Sequence, residues 1–176
     1  MKAKLLVVLV LLLVLFGVLA VKHNSPSAPM TVDVPATEHI YVTWDTMELD
    51  KCVSAWLIIR FIDNEAKFVF YPQGTEIKQG TVFDVPGAEW SRKHQKCTSD
   101  CILESLDLND PVVEKIVSIA HQTELNFWRL DRFPEALNCF NEVKALTDEV
   151  DNPLICFEKT RIYFDKLYNN FRKESK

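Results

Sequence analysis

The sequence predicts an α+β domain in which a small N-terminal β-sheet packs against about four or five helices. Short runs rich in β-branched and aromatic residues occur before Pro86, whereas apolar residues recur at helical spacing after Thr98. No internal repeat is visible. The chain has 176 residues, and the first 20 are predicted below to be a signal peptide or anchor. The 156 residues that remain are enough for one domain with its own core.

Three β-prone runs and one long apolar segment make up the first part of this domain. Ile40–Trp44 is a short β-prone run, and Glu48–Asp63 is predicted to be a helix. Ala66–Tyr71 is predicted to be a strand because it is rich in Phe and Val and is followed by a Pro-Gln-Gly turn. Thr81–Val85, which ends at a Pro-Gly pair, is predicted to be its partner strand.

Four further helices are marked by their starts. Thr98 or Ser99 is predicted to cap a short helix that ends at Leu106. Asp110-Pro111 opens the next helix, because proline is tolerated in a first helical turn. The last two are predicted from Pro134 to Leu146 and from Asn152 to Phe171.

The N-terminal residues predict export. Lys2 and Lys4 precede an apolar run from Leu5 to Ala20 that ends in small residues, as in a secretory signal peptide. An uncleaved anchor formed by residues 5–21 is the alternative, since that length is near the lower limit for a membrane span. The predicted organisation is therefore a signal or anchor at 1–20, a tether at 21–37 and a domain at 38–173.

Charge and missing motifs exclude several functions. Loss of Lys2 and Lys4 leaves 18 basic and 25 acidic side chains, a net charge of −7, which predicts that nucleic acid is not a partner. The chain has four glycines and lacks G-x-S-x-G, H-E-x-x-H and C-x-x-C patterns. Hydrolase, kinase and dinucleotide-dependent enzyme classes are therefore disfavoured.

Arg60 is the first candidate site residue. At 100° per residue it points the same way as apolar residues of its helix, so its charge requires an acid or a bound anion. We expect Arg60 to be buried and paired with Asp84, Glu89 or Glu124; Asp100 is a further acid in the same loop region. Alternatively, Arg60 and Lys51 receive an oxyanion, together with the basic loop around residue 94. Asp50 is a weaker candidate beside Lys51.

A metal site is predicted at the helix that starts at Pro111. Glu124 points into the apolar arc of this helix, and His121 lies one turn earlier, a spacing used by metal ligands on helices. With His94 from the preceding loop, these residues predict a site for a divalent metal ion such as Zn, Mn, Ni or Fe. The alternatives are a Glu124–Arg60 ion pair beside a hydrogen-bonded His121, and a solvated loop around His94.

The five cysteines do not predict a disulfide pattern, because their number is odd. Three of them lie among helical apolar residues and are predicted to be core residues: Cys52, Cys139 and Cys156. Cys97 and Cys101 are four residues apart, which suits metal binding, redox chemistry or simple packing at a helix start.

Several segments resemble one family. They are Tyr41–Ile62, Phe83–Gly87, His94 with Cys97-Thr98, Asp110-Pro111, Pro134–Ala136 and Asp165–Tyr168. Together they are similar to the ChrB-type chromate-resistance family, in its stand-alone exported form rather than as the C-terminal half of a chromate-responsive regulator. Ser99 and Phe164 depart from the family pattern, which usually has Phe and Tyr there. The resemblance is the reason for keeping Glu135, Asp165 and Tyr168 as weaker candidates.

The leading hypothesis is an exported domain that binds a metal ion or an oxyanion, with a role in chromate or metal resistance or sensing. Its cofactor is unknown, with a divalent metal ion as the candidate, and the membrane is a partner only through the N-terminal segment. One alternative is a metal-dependent or thiol enzyme of the cell envelope that uses His121 or Cys97. A second alternative is an envelope interaction module without a site.

Overall fold

The computed structural model describes residues 31–32 and 39–175. The predicted signal or anchor and most of the predicted tether lie outside the described residues. Within the described part of the chain, no helix is both long enough and apolar enough to cross a membrane. Thr31–Val32 (β1) falls in the stretch predicted to be a tether, and it pairs in parallel with Glu76–Ile77 (β4).

The main sheet has three parallel strands. Ile40–Trp44 (β2) lies in the middle, between Lys67–Tyr71 (β3) and Thr81–Val82 (β5). The two outer runs were predicted to pair with each other, and that prediction was wrong, because β2 separates them. The central position suits β2, whose three middle residues are all buried.

Helices cover this sheet, and the predicted α+β class is confirmed. The first helix, Leu49–Leu57 (α1), continues as a π-helical segment over Ile58–Ile62. Three later α-helices are Thr98–Ser105 (α2), Pro111–Leu125 (α3) and Pro134–Asp148 (α4), with a 3₁₀ segment at Phe127–Arg132 between the last two. The long helix Pro153–Glu174 (α5) ends the described chain.

The core forms where α1 packs against the other helices, and side chains of the sheet belong to the same buried cluster. Every residue of α1 is buried, and Trp56 packs against Phe164 and Tyr168 of α5. Phe68 of β3 joins the sheet to α5 through Phe157, with 4.5 Å between the ring centroids. The three cysteines predicted to be core residues, Cys52, Cys139 and Cys156, are indeed buried.

Asp110 joins the start of α3 to the end of α5. Its Oδ1 accepts hydrogen bonds from the amides of Val112 and Val113, and its Oδ2 accepts one from the Tyr168 hydroxyl at 2.6 Å. Partial burial acts to raise the pKa of Asp110, but these bonds and Arg172 together lower it below its ordinary value of 3.8. The ionised carboxylate is therefore the form that the fold favours.

We predict that Asp110→Ala lowers the free energy of unfolding by about 1–2 kcal/mol at neutral pH, the usual range for loss of a helix cap. Because the pKa is lower in the folded chain, this stabilisation is present above pH 3.8 and is lost as the pH falls through the lowered value. Urea unfolding of wild type and variant at several pH values measures both effects. A difference in stability that persists unchanged at pH 2 would contradict this assignment. Asp107→Ala, at an exposed position in the same connection, is the control.

Candidate functional site

A polar network lies at the carboxyl ends of β2 and β5, the edge where open parallel sheets bind ligands. The first turn of α1 contributes Asp50 and Lys51, whose side chains are almost fully buried, at 1% and 2% residue exposure. The loop after β5 contributes Asp84, and the start of α2 contributes Cys97 and Asp100. Buried charged groups require partners, so the contacts of each one define the site.

Lys51 is held on three sides. Its Nζ donates to the Trp44 carbonyl at 2.8 Å and to the Thr46 hydroxyl at 3.1 Å, and it lies 3.5 Å from Asp84 Oδ2. The candidate residues Lys51 and Asp84 thus lie together as an ion pair. Each of the three ammonium protons has an acceptor within reach.

Asp84 has unusual backbone and protonation properties. Its φ angle of 53° lies in the left-handed region, which non-glycine residues rarely adopt and which is enriched at functional sites. Burial raises the pKa of its carboxyl group, although a hydrogen bond from the Thr98 hydroxyl at 2.6 Å and the charge of Lys51 oppose that rise. The strained backbone holds this carboxyl group between α1 and α2.

Asp50 caps α2 from another helix. Its two carboxylate oxygens accept the amides of Thr98 at 2.7 Å and Ser99 at 3.0 Å. The sequence predicted that Thr98 or Ser99 would itself cap this helix. Instead, Cys97 is the N-cap residue, and Asp50 satisfies the amides of Thr98 and Ser99. A single buried carboxylate therefore fixes where the first turn of α2 sits.

Three side-chain atoms of the kinds that can bind a metal ion meet beside this cap. One oxygen of Asp100 lies 3.1 Å from Cys97 Sγ and 2.8 Å from His121 Nδ1, and it also accepts the Cys97 amide at 2.9 Å. One ligand atom from each of Cys97, Asp100 and His121 lies within 4.8 Å of the others. We call these three residues the Cys-Asp-His cluster.

The position of the cluster in the fold explains its spacing. Cys97 and Asp100 are three residues apart in the first turn of α2, so their side chains are neighbours. His121 comes from α3, which packs against α2. Burial, and then the charge of Asp50, raises the pKa of the Cys97 thiol, so the thiol stays protonated unless a cation replaces its proton.

The predicted grouping of His94, His121 and Glu124 differs from this arrangement. His121 contacts Asp100, whereas Glu124 forms an ion pair with Arg92 from the loop after β5. His94 is exposed in that loop. In the part of the chain that the structure describes, the Cys-Asp-His cluster is the group in which three such ligand atoms meet. Burial raises the pKa of Glu124; Arg92 lowers it, while Asp50 and Glu48 add to the rise.

Arg60 lies apart from this network, and its predicted partners were wrong. Its guanidinium donates to Asp165 Oδ1 at 2.6 Å and stacks over the Tyr168 ring with 4.4 Å to the centroid. Asp165 also accepts the indole NH of Trp56 at 3.0 Å. The side chain of Arg60 is 32% exposed, because only Ile58 of the π-helical segment is buried and the helix emerges at the surface there.

We predict that Arg60→Leu lowers the free energy of unfolding by only about 1 kcal/mol. A partly exposed ion pair and a cation–π contact each contribute less than or about that amount, and Asp165 keeps its bond from Trp56. Thermal or urea unfolding measures the change. Arg60→Lys keeps the charge but loses the planar stacking, so its stability should lie between those of the wild type and Arg60→Leu. A loss of 3 kcal/mol or more would show instead that Arg60 acts as a buried charge.

The remaining weaker candidates lie outside the network. Glu89 is exposed. Glu135 is in the first turn of α4, and it pairs with Lys115 at 2.9 Å on the surface. Asp165 and Tyr168, kept only because of the resemblance, prove to be the partners of Arg60. Asp50, Cys97 and Asp100 were only weaker candidates from the sequence. A C-x-x-D pattern at a helix start is the signal that points to Cys97 and Asp100.

Comparison with known proteins agrees with the resemblance. A search of curated proteins and a search of solved structures each returned no match. The family model described as the C-terminal domain of ChrB matches residues 41–171, a range that contains both the polar network and the Arg60 contacts. Since this match covers well over half of the chain, the chain belongs to the ChrB C-terminal domain family, a family of chromate resistance.

Proposed function

We propose that this chain is an exported ChrB domain that binds a divalent metal ion through Cys97, Asp100 and His121, with a role in chromate or metal resistance or sensing. The observation that carries the proposal is the Cys-Asp-His cluster, in which sulfur, oxygen and nitrogen ligand atoms lie within 4.8 Å of one another. In a tetrahedral site with bonds of about 2.0–2.3 Å, ligand atoms are about 3.5 Å apart, so small side-chain movements would close the set.

The chemistry of the cluster favours a cation. Two side-chain hydrogen bonds join the cluster, one between the Cys97 thiol and Asp100 and one between His121 and Asp100. A metal ion would displace the protons of these bonds and would stabilise the thiolate. The mixed sulfur, nitrogen and oxygen set suits Zn²⁺ or another borderline divalent metal, and three protein ligands leave a position for water or another group.

An oxyanion such as chromate has less support. Four of the cations considered for that role already have a carboxylate partner: Lys51 with Asp84, Arg60 with Asp165, Arg92 with Glu124 and Lys96 with Glu104. An entering oxyanion would have to displace a carboxylate and would meet the charges of Asp50 and Asp100. A thiol enzyme is also disfavoured, because the raised pKa of Cys97 opposes thiolate formation at neutral pH.

Metal analysis of the full chain tests the proposal. The purified chain is stripped with a chelator, exposed separately to Zn²⁺, Ni²⁺ and Mn²⁺, passed through a desalting column and assayed by mass spectrometry. About one metal ion per chain is expected for at least one metal, together with a rise in melting temperature. Less than roughly a tenth of an ion per chain with all three metals, combined with protection by chromate, would support the oxyanion alternative instead.

Export is a separate part of the proposal and rests on Lys2, Lys4 and the apolar run from Leu5 to Ala20. Cell fractionation followed by mass spectrometry of the intact chain tests it. A mature N-terminus near residue 21 supports a cleaved signal, and a full-length chain in the membrane fraction supports an anchor. A full-length chain in the cytoplasm would contradict export.

A further inference from the structure

A surface pocket next to the polar network has the features of a second binding site. Its volume is about 560 Å³, within the range of small-molecule sites, and the start of α1, the end of α3 and the second half of α4 line it. Arg92 and Glu124 form one side of this pocket, but Cys97, Asp100 and His121 do not line it. The pocket is therefore distinct from the Cys-Asp-His cluster.

Two aromatic rings are exposed at this pocket. Phe127 is 68% exposed and Phe140 is 37% exposed, and both line the pocket beside Val143. Rings of this size are usually buried, so their open faces offer an apolar surface for a ligand body. The face of such a ring also attracts a cation.

The residues that line the pocket include more acidic than basic side chains. Arg92 is paired with Glu124, and Lys144 is paired with Asp148 at 2.6 Å. Glu48 remains: it is exposed at the pocket, no ion pair within 4.0 Å reaches it among the described residues, and only the more distant charge of Arg92 is shown to attract it. Three carboxylates against two basic groups leave one net negative charge.

We propose that this pocket binds a small organic cation: a protonated amine with an apolar body. The amine would contact Glu48, and the body would lie against Phe127 and Phe140. An organic anion is disfavoured, because both basic groups are already paired and Glu48 would repel it. The inference does not depend on metal binding, since no residue of the Cys-Asp-His cluster lines the pocket.

Three probes of one shape test the charge preference. The ¹⁵N-labelled full chain is titrated with benzylammonium, benzyl alcohol and benzoate, and amide shifts are followed by NMR. With benzylammonium, the amide signals of lining residues such as Thr123 and Thr147 are expected to shift. These shifts should saturate with a dissociation constant of about 1–10 mM, which is usual for a ligand of this size. Benzoate binding as tightly as benzylammonium, or no saturable shift at about 20 mM, would overturn the proposal.

Two surface variants separate charge from shape. Glu48→Gln should weaken benzylammonium about threefold and leave benzyl alcohol unchanged, as expected for one exposed ion pair. Lys144→Gln, which removes a basic group from the same pocket, should leave benzylammonium binding equal or tighter. Equal loss of benzylammonium and benzyl alcohol in Glu48→Gln, or a loss in Lys144→Gln, would contradict the proposed contact.

Discussion

His121→Ala and Cys97→Ala are each expected to lower the affinity for the bound metal by at least about 100-fold. Loss of a residue that only supports a ligand commonly costs 10–100-fold, so loss of a ligand should cost at least the upper end of that range. In the structure each of these side chains contacts the same oxygen of Asp100, so either variant would leave two ligands of the cluster. Competition against a coloured chelator measures the affinity.

His94→Ala is the matched control, because it removes an exposed imidazole from the loop that precedes the cluster. Its metal affinity should equal that of the wild type. If His94→Ala and Glu124→Ala weaken binding as strongly as His121→Ala, the site is the one that the sequence predicted and the Cys-Asp-His cluster is not the site. Circular dichroism of each stripped variant checks that the fold is intact.

Cobalt gives a second readout that unfolding alone would not imitate. Co²⁺ bound by a thiolate has a sulfur-to-metal charge-transfer absorption, so the loaded wild type should show this band and Cys97→Ala should lack it. Cys101→Ala should keep the band, because Cys101 contacts the Ser91 carbonyl instead. A band that survives Cys97→Ala would assign the thiolate to another residue.

Asp50→Ala is expected to have the largest effect on stability, about 3 kcal/mol. It removes both acceptors of the buried Thr98 and Ser99 amides, and each hydrogen bond to a charged group contributes about 1.5–3 kcal/mol. The cost of burying the carboxylate is relieved at the same time, which keeps the total below the sum of the two bonds. Urea unfolding, with its slope checked for two-state behaviour, measures the loss.

Two further variants provide comparisons for the stability loss of Asp50→Ala. Asp50→Asn keeps one amide acceptor and should lose about half as much stability. Asp45→Ala removes a carboxylate that accepts one exposed amide, that of Gln73 at 3.2 Å, and should cost no more than about 0.5 kcal/mol. If Asp50→Ala costs less than 1 kcal/mol, the start of α2 is held by other contacts and the structural role of Asp50 is wrong.

The sequence determined most of the longer helices and strands and much of the core because those signals are local, but it did not predict β1, β4, the π-helical segment or the 3₁₀ segment. Asp110-Pro111 and Asn152-Pro153 marked helix starts that the structure confirms, since a short polar cap followed by proline acts within one turn. The β2 and β3 runs were also recognised, because composition and flanking turns are local as well. The order of the strands was not predicted, because which strands become neighbours depends on long-range pairing that no local pattern encodes.

Only the tertiary structure decided which side chains meet. Arg60 needed an acid, as the sequence indicated, but Asp165 lies 105 residues further on, in a helix whose packing against α1 has no local signal. Likewise, His121 was predicted to be a metal ligand, but Cys97 and Asp100 became its neighbours because Asp50 fixes the start of α2 beside α3. The side-chain types that a site requires are local facts of the sequence, whereas their partners depend on long-range packing, which one sequence does not encode in any short pattern.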